Sequence, residues 1–539
     1  MSSNTKGAFV LADAFRQMGV SRVFGVPGGG SSLDLIEGAK ASGLPFTLVR
    51  HETAGMMMAA VSADLSGRPG AMLVTKGPGL ANAVNGLATA ALERSAVFLV
   101  ADGFSAKQTG YVTHQAFDQI ALATPVTKAT ARVRGADMAA EVARLATAAC
   151  SAPCGPVMLE MNAPAAQAMA AAADGIALPA AAMPDAAALE RARALLARAR
   201  RPVVIAGLEV RDPAGSAAVR ALVAALGCPA LVTYKAKGVI ADDDKLFAGV
   251  FTCGAAERPI VSQADLIILA GADPVEFILQ SWPYAVPVID VALFARPVHY
   301  VTPEVVVQGD PAAALNALAQ GAVPSAWDLA AIAAHLAASK AALAFPGTDD
   351  AIGPQRIVEM AAAACVRHGV DARASVDAGA HMISATTFWP CTRPHDLLIS
   401  NGLATMGFAL PAAIAAALHE PARPVIAFTG DGGLAMCLGE LATAASVGAR
   451  IVVVVFNDDG LSLIAAKQDG RDLPADSMAW RHADFAAAMR GFGGLGFAVR
   501  SAAEYDAALD AALGADGPVV IDVRVDPAGY AGQLKALRG

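Results

Sequence analysis

A chain of 539 residues with 55% hydrophobic and only 16% charged residues can bury several large cores, which excludes global disorder and suggests about three domains. A net charge of −8, with no basic stripe, argues against a nucleic-acid partner. The longest strongly apolar runs, such as Leu266–Ala270 and Ile451–Phe456, fall far short of the ~20 residues that cross a bilayer. Such runs suit central strands of parallel sheets, buried on both faces. The polar stretch Met1–Lys6 lacks a secretory apolar core, so a cytoplasmic protein without membrane association is expected. Seven scattered cysteines form no CxxC pair and read as reduced thiols rather than a zinc site.

Three segments repeat the order strand, glycine-containing turn, helix, which argues for parallel α/β sheets. The first runs from about Gly7 to Ala163. Its predicted strands are Arg22–Val26, Phe46–Val49, Ala71–Thr75, Val97–Ala101 and Pro156–Met161, with helices such as Ala8–Met18 and Glu52–Ser66. Pro164–Pro184, rich in Ala and Pro, reads as a linker. The second segment, from about Asp185 to Ala344, has strands at Pro202–Ala206, Pro229–Val232, Leu266–Ala270 and Val286–Asp290. Phe345–Asp350 is a plausible joint. The third, from about Asp350 to Gly539, has strands at Ala374–Asp377, Leu397–Ser400, Val425–Phe428, Ile451–Phe456 and Val519–Val525. The expected class is α/β, with three domains, each a parallel sheet flanked by helices, at 1–168, 185–345 and 350–539.

The third segment carries the densest chemistry. Strand Val425–Thr429 ends in Gly430-Asp431-Gly432-Gly433, followed by a helical stretch, Leu434–Val447. Strand Ile451–Phe456 ends in Asn457-Asp458-Asp459-Gly460. Both turns fall at the carboxyl ends of neighbouring parallel strands, where ligands of open α/β sheets bind. Gly430, Gly432 and Gly433 let backbone amides approach phosphate oxygens. The helix aims its positive end at the same place. Asp431 and Asp458 supply hard oxygens suited to Mg²⁺. Taken singly, either turn is an ordinary glycine-rich turn.

Together the two turns resemble the signature of thiamine diphosphate-dependent enzymes of the acetolactate synthase and benzoylformate decarboxylase type. The resemblance implies thiamine diphosphate and Mg²⁺ as cofactors. It implies a pyrimidine-binding first domain, a Rossmann-like middle domain and a diphosphate-binding third domain. The metal ligands it implies are Asp431, Asp458 and the carbonyl of Gly460, with Leu461 next along the cofactor. The family usually has Asn-Asn where this chain has Asn457-Asp458, and an Asp serves Mg²⁺ as well.

Further motifs carry the same resemblance. Arg50-His51-Glu52 opens a helix as the family's RHE segment does. Glu52 would then hydrogen-bond the pyrimidine ring and promote the tautomer that deprotonates the thiazolium. Phe24-Gly25-Val26-Pro27-Gly28-Gly29 matches the family's first strand and turn, placing Pro27 and Gly28 at the cofactor and Gly29 on the substrate side. Thr75-Lys76-Gly77-Pro78-Gly79-Leu80-Ala81-Asn82 matches the xGPG…N turn, with Gly79 and Asn82 as cofactor contacts and Lys76 where Ser is usual. His114-Gln115-Ala116-Phe117-Asp118 resembles the loop that projects a glutamine, here Gln115, toward the substrate; His114 itself suits a solvated loop. In Asn401–Gly407, Met406 matches the wedge between the cofactor rings, and the carbonyl of Ala404 matches the acceptor for the pyrimidine amine. In Asp377–Met382, Ala380 and His381 take the diphosphate-contacting positions, with Ala380 replacing a usual Gln.

The activity implied is decarboxylation of a 2-oxo acid to a C2-enamine that is either protonated or ligated to a second carbonyl. Gln115 and the absence of twin histidines favour ligation, as in acetolactate synthases. A non-ligating decarboxylase or a 2-hydroxyacyl lyase is the alternative, and a cofactor-binding protein without turnover is the alternative of another class. Lys467 stands where acetolactate synthases carry Trp. Lys467 and Lys76 are candidates for an anionic group on donor or acceptor, or are solvated surface lysines. Some relatives hold FAD in the middle domain. Gly271-Ala272-Asp273-Pro274-Val275-Glu276 differs from their FDDR-like turn, which argues against FAD without deciding it. Partners implied are a 2-oxo acid, an aldehyde or second oxo acid, and a second copy of the chain. In the family the first domain of one subunit meets the third domain of another, which gives a homodimer or a dimer of dimers, up to a homotetramer.

Overall fold

A computed structural model describes residues 4–173, 175–278, 281–468, 474 and 477–539. It contains three six-stranded parallel sheets. The first runs Phe46–Leu48, Val23–Val26, Gly70–Val74, Val97–Asp102, Val157–Met161, Ala129–Val133 across its width. The third runs Leu397–Ile399, Arg373–Val376, Val425–Gly430, Ile451–Asn457, Val519–Arg524, Leu495–Val499. Numbered along the chain, both follow the order 2-1-3-4-6-5. The middle sheet differs: Phe247–Val250, Ala230–Val232, Pro202–Ala206, Leu266–Ala270, Val288–Ala292, Val305–Gln308, or 3-2-1-4-5-6, the doubly wound order of nucleotide-binding folds.

The central strands are the apolar runs of the sequence. Gly70–Val74, Leu266–Ala270 and Ile451–Asn457 are buried at every residue. Helices cover both faces, so alternation gives way to continuous Val, Ile and Leu. The strands that the sequence pattern misses, Ala129–Val133, Phe247–Val250, Val305–Gln308 and Leu495–Val499, are all edge strands. Edges are half-solvated and carry Gly249, Gly496 or alternating polar residues, which dilutes the apolar signal.

Two expectations need correction. The Pro164–Pro184 linker begins later. Ala163–Gln167 is a helix capped by the Asn162 side chain, and Met169–Ala170 pairs antiparallel with Thr5–Lys6. The helix after Gly430 begins at Asp431, not Leu434, and stops at Met436; a second helix, Glu440–Ser446, starts after Gly439.

The chain forms two compact units. One comprises Met1–Ala180 with Gly402–Ala422 and Met436–Ala449; the other comprises Ala181–Asn401, Arg423–Ala435 and Arg450–Gly539. Helix Ala409–His419 thus packs on helix Glu52–Ser66, although it follows the third sheet's second strand in sequence. Among the described residues no helix is long and apolar enough to cross a membrane.

Candidate functional site

The parallel register of the third sheet pairs Gly430 with Phe456, so Asp431 and Asp458 emerge side by side at the strand ends. Asp431 is buried. Its Oδ1 accepts from the Gly432 amide at 2.8 Å, and its Oδ2 accepts from the Trp480 indole at 3.2 Å. Burial, and then the negative charge of Asp458, push the Asp431 carboxyl up to about 6. Asp458 is raised as well, chiefly by burial, while its carboxylate accepts from Ser462 Oγ. Two buried carboxylates side by side, with the charge of Asp458 raising Asp431, could hold a hard divalent cation, which would reverse that effect. Gly460 bridges Ala479, the Leu461 amide donates to the Met478 carbonyl at 2.8 Å, and the Trp480 amide donates to the Asp459 carbonyl at 3.0 Å. Trp480 therefore reaches Asp431 from a segment that the motif pattern does not flag.

Asp377, fully buried, ties the neighbouring turn to this one. Its Oδ1 accepts from the Ala378 amide at 2.9 Å and its Oδ2 from Thr429 Oγ1 at 3.0 Å. His381 opens the next helix and stacks on Phe456 with ring centroids 5.2 Å apart. Burial lowers its imidazole to about 4, and its buried Nε2 has no hydrogen-bond partner. The unpartnered ring nitrogen beside the glycine-rich turns marks a place for a ligand; it would donate to an anionic group only when the ring carries its second proton. Ala380 is buried beside it. Lys467 is exposed at the end of helix Ser462–Ala466.

Glu52 lies in the other unit, at the first position of helix Glu52–Ser66. The His51 ring caps that helix, with Nδ1 accepting from the Thr53 amide at 3.2 Å. Glu52 is buried, and its Oε2 accepts from Asn82 Nδ2 at 3.0 Å. Helix Pro78–Leu92 can come this close only because residue 86 is Gly. A side chain there would start 2.3 Å from Met56 Cβ and 2.9 Å from the Thr53 carbonyl. Behind Glu52, the Glu440 carboxylate accepts from the Arg50 and His51 amides at 2.9 and 2.8 Å. The sequence reading missed Glu440, whose partners are some 390 residues away.

Gly28 packs against Thr75 and Asp102, and Asp102 Oδ1 accepts from Ser31 Oγ at 2.6 Å and the Ser32 amide at 2.7 Å. Pro27 is half-buried and Gly29 is exposed, with open space around it. The Lys76–Gly77 turn is pinned by Gln119, also missed from sequence. Gln119 Oε1 accepts from the Gly77 amide at 2.8 Å, and its Nε2 donates to the Asp102 carbonyl and to Glu160. Gly77 has φ +68, and a side chain there would start 2.7 Å from the Gln115 carbonyl. Gln115 is exposed and also left-handed, at φ +58. A side chain at Gly79 would start 3.4 Å from Glu52 Oε1. Met406 is half-buried, and Ala404 is exposed with φ +53, a strained geometry of the kind found at binding sites. That segment is anchored by the Gly402 amide donating to Glu93 at 2.9 Å and by Asn85 Nδ2 donating to Thr405 Oγ1 at 3.3 Å. The sequence-predicted residues thus gather into two clusters. Glu52, Asn82, Gln115 and Met406 fall in one unit; His381, Asp431 and Asp458 fall in the other.

Family comparison covers all three sheets. Residues 5–122 match the thiamine pyrophosphate enzyme N-terminal binding domain, 189–318 the central domain and 377–523 the C-terminal binding domain. The chain is 31% identical to the catabolic acetolactate synthase of Raoultella terrigena, over 96% of this chain and 95% of that one. It is 30% identical to the acetolactate synthase of Bacillus subtilis (strain 168), over 97% and 93%. It is also 30% identical to a probable 2-ketoarginine decarboxylase of Pseudomonas aeruginosa, over 94% and 91%. With three matched domains on three parallel sheets, the chain belongs to the thiamine pyrophosphate-dependent enzyme family, in its acetolactate synthase group.

Proposed function

We propose that the protein is a thiamine diphosphate- and Mg²⁺-dependent decarboxylase and carboligase of 2-oxo acids, acetolactate synthase-like in reaction. The observation that carries this reading is the adjacent pair Asp431 and Asp458. Each is raised by burial and Asp431 also by its neighbour, at the carboxyl ends of paired strands. When bound, the coenzyme supplies a thiazolium carbon that adds to the oxo group and accepts the electrons released with CO₂.

The chain's own residues have separate tasks. Asp431, Asp458 and the Gly460 carbonyl would hold Mg²⁺. The turn Gly430, Gly432 and Gly433, with His381, would line the diphosphate's place. Glu52 accepts a hydrogen bond from the pyrimidine ring, in a dry site where such a bond is strong. Asn82 fixes the carboxylate's orientation, and Glu440 fixes the turn before it. Met406 would pack against the coenzyme's rings, and the Ala404 carbonyl would accept from its pyrimidine amine. Gln115 faces the substrate.

FAD is not part of this reading. At the switch point of the middle sheet, Glu276 Oε2 already accepts the Leu208 amide at 2.9 Å and Glu209 accepts the Leu293 amide at 2.8 Å. Those two amides are therefore not free to receive a nucleotide diphosphate. The working assembly is a homodimer or a dimer of dimers in the cytoplasm.

CO₂ release from a panel of 2-oxo acids tests the proposal, with and without thiamine diphosphate, Mg²⁺ and an aldehyde or second oxo acid. The expected result is cofactor-dependent CO₂ release and a 2-hydroxyketone product. Free aldehyde as the sole product makes the protein a simple decarboxylase. No cofactor-dependent turnover, and no stabilisation by the cofactors, sinks the reading.

A further inference from the structure

Lys76 has a setting that the general reading leaves without a task. It follows strand Gly70–Val74 in the turn that Gln119 pins through the Gly77 amide. Two residues beyond Gly77, Gly79 abuts Glu52, and the backbone of Gln115 lies on Gly77 itself. Lys76 is half-buried, and its Nζ sits 5.5 Å from the centroid of the Phe104 ring. Among the described residues no carboxylate pairs with it. Other lysines have one: Lys237 pairs with Asp242 at 2.7 Å and Lys6 with Glu37 at 3.9 Å. Neither acid that Gln119 ties to this turn pairs with Lys76. Glu160 is bound by Arg132 at 2.6 Å and by Gln119 at 3.1 Å; Asp102 Oδ1 accepts from Ser31 and Ser32, and its buried Oδ2 has no hydrogen-bond partner. A half-desolvated ammonium with only an aromatic face for company is a preorganised anion site.

We propose that Lys76 binds an anionic group that the product retains and that is not the carboxylate of a 2-oxo acid unit, so that the preferred donor or acceptor carries a further, terminal negative charge. This rests on the coenzyme reading above and deepens it. The leaving carboxylate is not the target. It loses its charge as the carbon–carbon bond breaks, so a cation against it would stabilise the bound substrate more than the transition state and slow the step. An ammonium is productive only against a charge that persists through the reaction.

The test compares pairs that differ in one terminal carboxylate. In the donor arm, CO₂ release is measured from 2-oxoglutarate and 2-oxopentanoate. In the acceptor arm, pyruvate is the donor and ligation is measured to succinic semialdehyde and to butanal. The wild-type protein is expected to favour the anionic member at least tenfold in kcat/KM in one arm. Lys76→Met should cut that ratio at least tenfold through KM, and Lys76→Arg should restore most of it. Raising ionic strength on the wild-type protein gives a second measurement needing no variant, because an ion pair weakens with salt and the member with the extra carboxylate should therefore lose more than the member without it. No preference in either arm, a ratio unmoved by Lys76→Met, or one indifferent to salt overturns the proposal while leaving the coenzyme reading intact. A wild-type protein that neither releases CO₂ nor is stabilised by thiamine diphosphate with Mg²⁺ overturns both.

Discussion

The Glu440 carboxylate accepts hydrogen bonds from the backbone amides of Arg50 and His51, at 2.9 and 2.8 Å, and so braces the turn that delivers Glu52. Glu440 is buried, and Thr443 Oγ1 donates to its second oxygen at 2.7 Å. Glu440→Ala leaves two amides without their acceptor, at a cost of about 1–3 kcal/mol for each such group. Urea unfolding should show that loss. Glu440→Gln keeps one acceptor oxygen and should recover most of the stability. A positioning role predicts more than instability: the folded Gln variant should exchange the coenzyme's C2 proton more slowly, with diphosphate affinity little changed. Exchange at the wild-type rate would limit Glu440 to a structural part.

Glu52→Gln keeps the shape of the side chain and removes its charge. Turnover should fall by about 10²–10⁴-fold, the usual range for losing acid–base assistance. Coenzyme binding, read by dialysis, should stay within a few-fold. C2 proton exchange followed by NMR separates the two effects, and an unaffected exchange rate would remove Glu52 from the activation step.

Trp480 donates to the carboxylate oxygen of Asp431 that does not accept from Gly432. Outer hydrogen bonds of this kind orient a metal ligand and carry roughly 10–100-fold in metal affinity. Trp480→Phe is expected to weaken Mg²⁺ binding within that range. The indole also makes a probe: adding Mg²⁺ with thiamine diphosphate should change the emission of the wild-type protein, and the Phe variant should lose most of that change. Equal Mg²⁺ affinity in both proteins would reduce the contact to packing.

Burial lifts Glu276, and separately Glu209, to about 7 from an ordinary value near 4.5. A carboxyl raised in the fold holds its proton more tightly there than in the unfolded chain. Its contribution is therefore fully present below about 4.5 and is lost as pH rises through about 7. The melting temperature of the cofactor-free protein should fall between pH 6 and pH 8, with Glu276 contributing about 1 kcal/mol across that interval. Glu276→Gln should flatten the slope, since its amide can still donate to Thr233 Oγ1, the partner that now donates to Glu276 at 2.5 Å. A slope unchanged in that variant would assign the pH response elsewhere.

Much of the fold was legible along the chain. Leu266–Ala270 and Pro202–Ala206 appear as strands at the residues expected, because helices on both faces force a continuous apolar run that any reader of the sequence can see. Four of the six edge strands of the large sheets, Ala129–Val133, Phe247–Val250, Val305–Gln308 and Leu495–Val499, escaped notice because solvent on one side relaxes that demand. Asp431 and Asp458 could be placed from the sequence for a related reason: each follows directly on a buried strand, so local sequence sets it at a strand's carboxyl end. Glu52 instead opens a helix shortly after the edge strand Phe46–Leu48, of which only Thr47 is buried.

Their supporting groups were not readable. Trp480, Gln119, Asp377 and Glu440 act on backbone or side chains that come near only after the sheets form, and nothing in their local pattern distinguishes them from ordinary polar or aromatic residues. The sequence by itself determined the three α/β segments and the strand-end positions of Asp431 and Asp458, because periodicity and strand-end turns are local properties. The tertiary structure alone decided that helices Ala409–His419 and Glu440–Ser446 join the compact unit of the first sheet, and which hydrogen bonds hold each carboxylate in place. Those depend on parallel strand pairing and close helix packing between residues hundreds of positions apart, which no window of sequence contains.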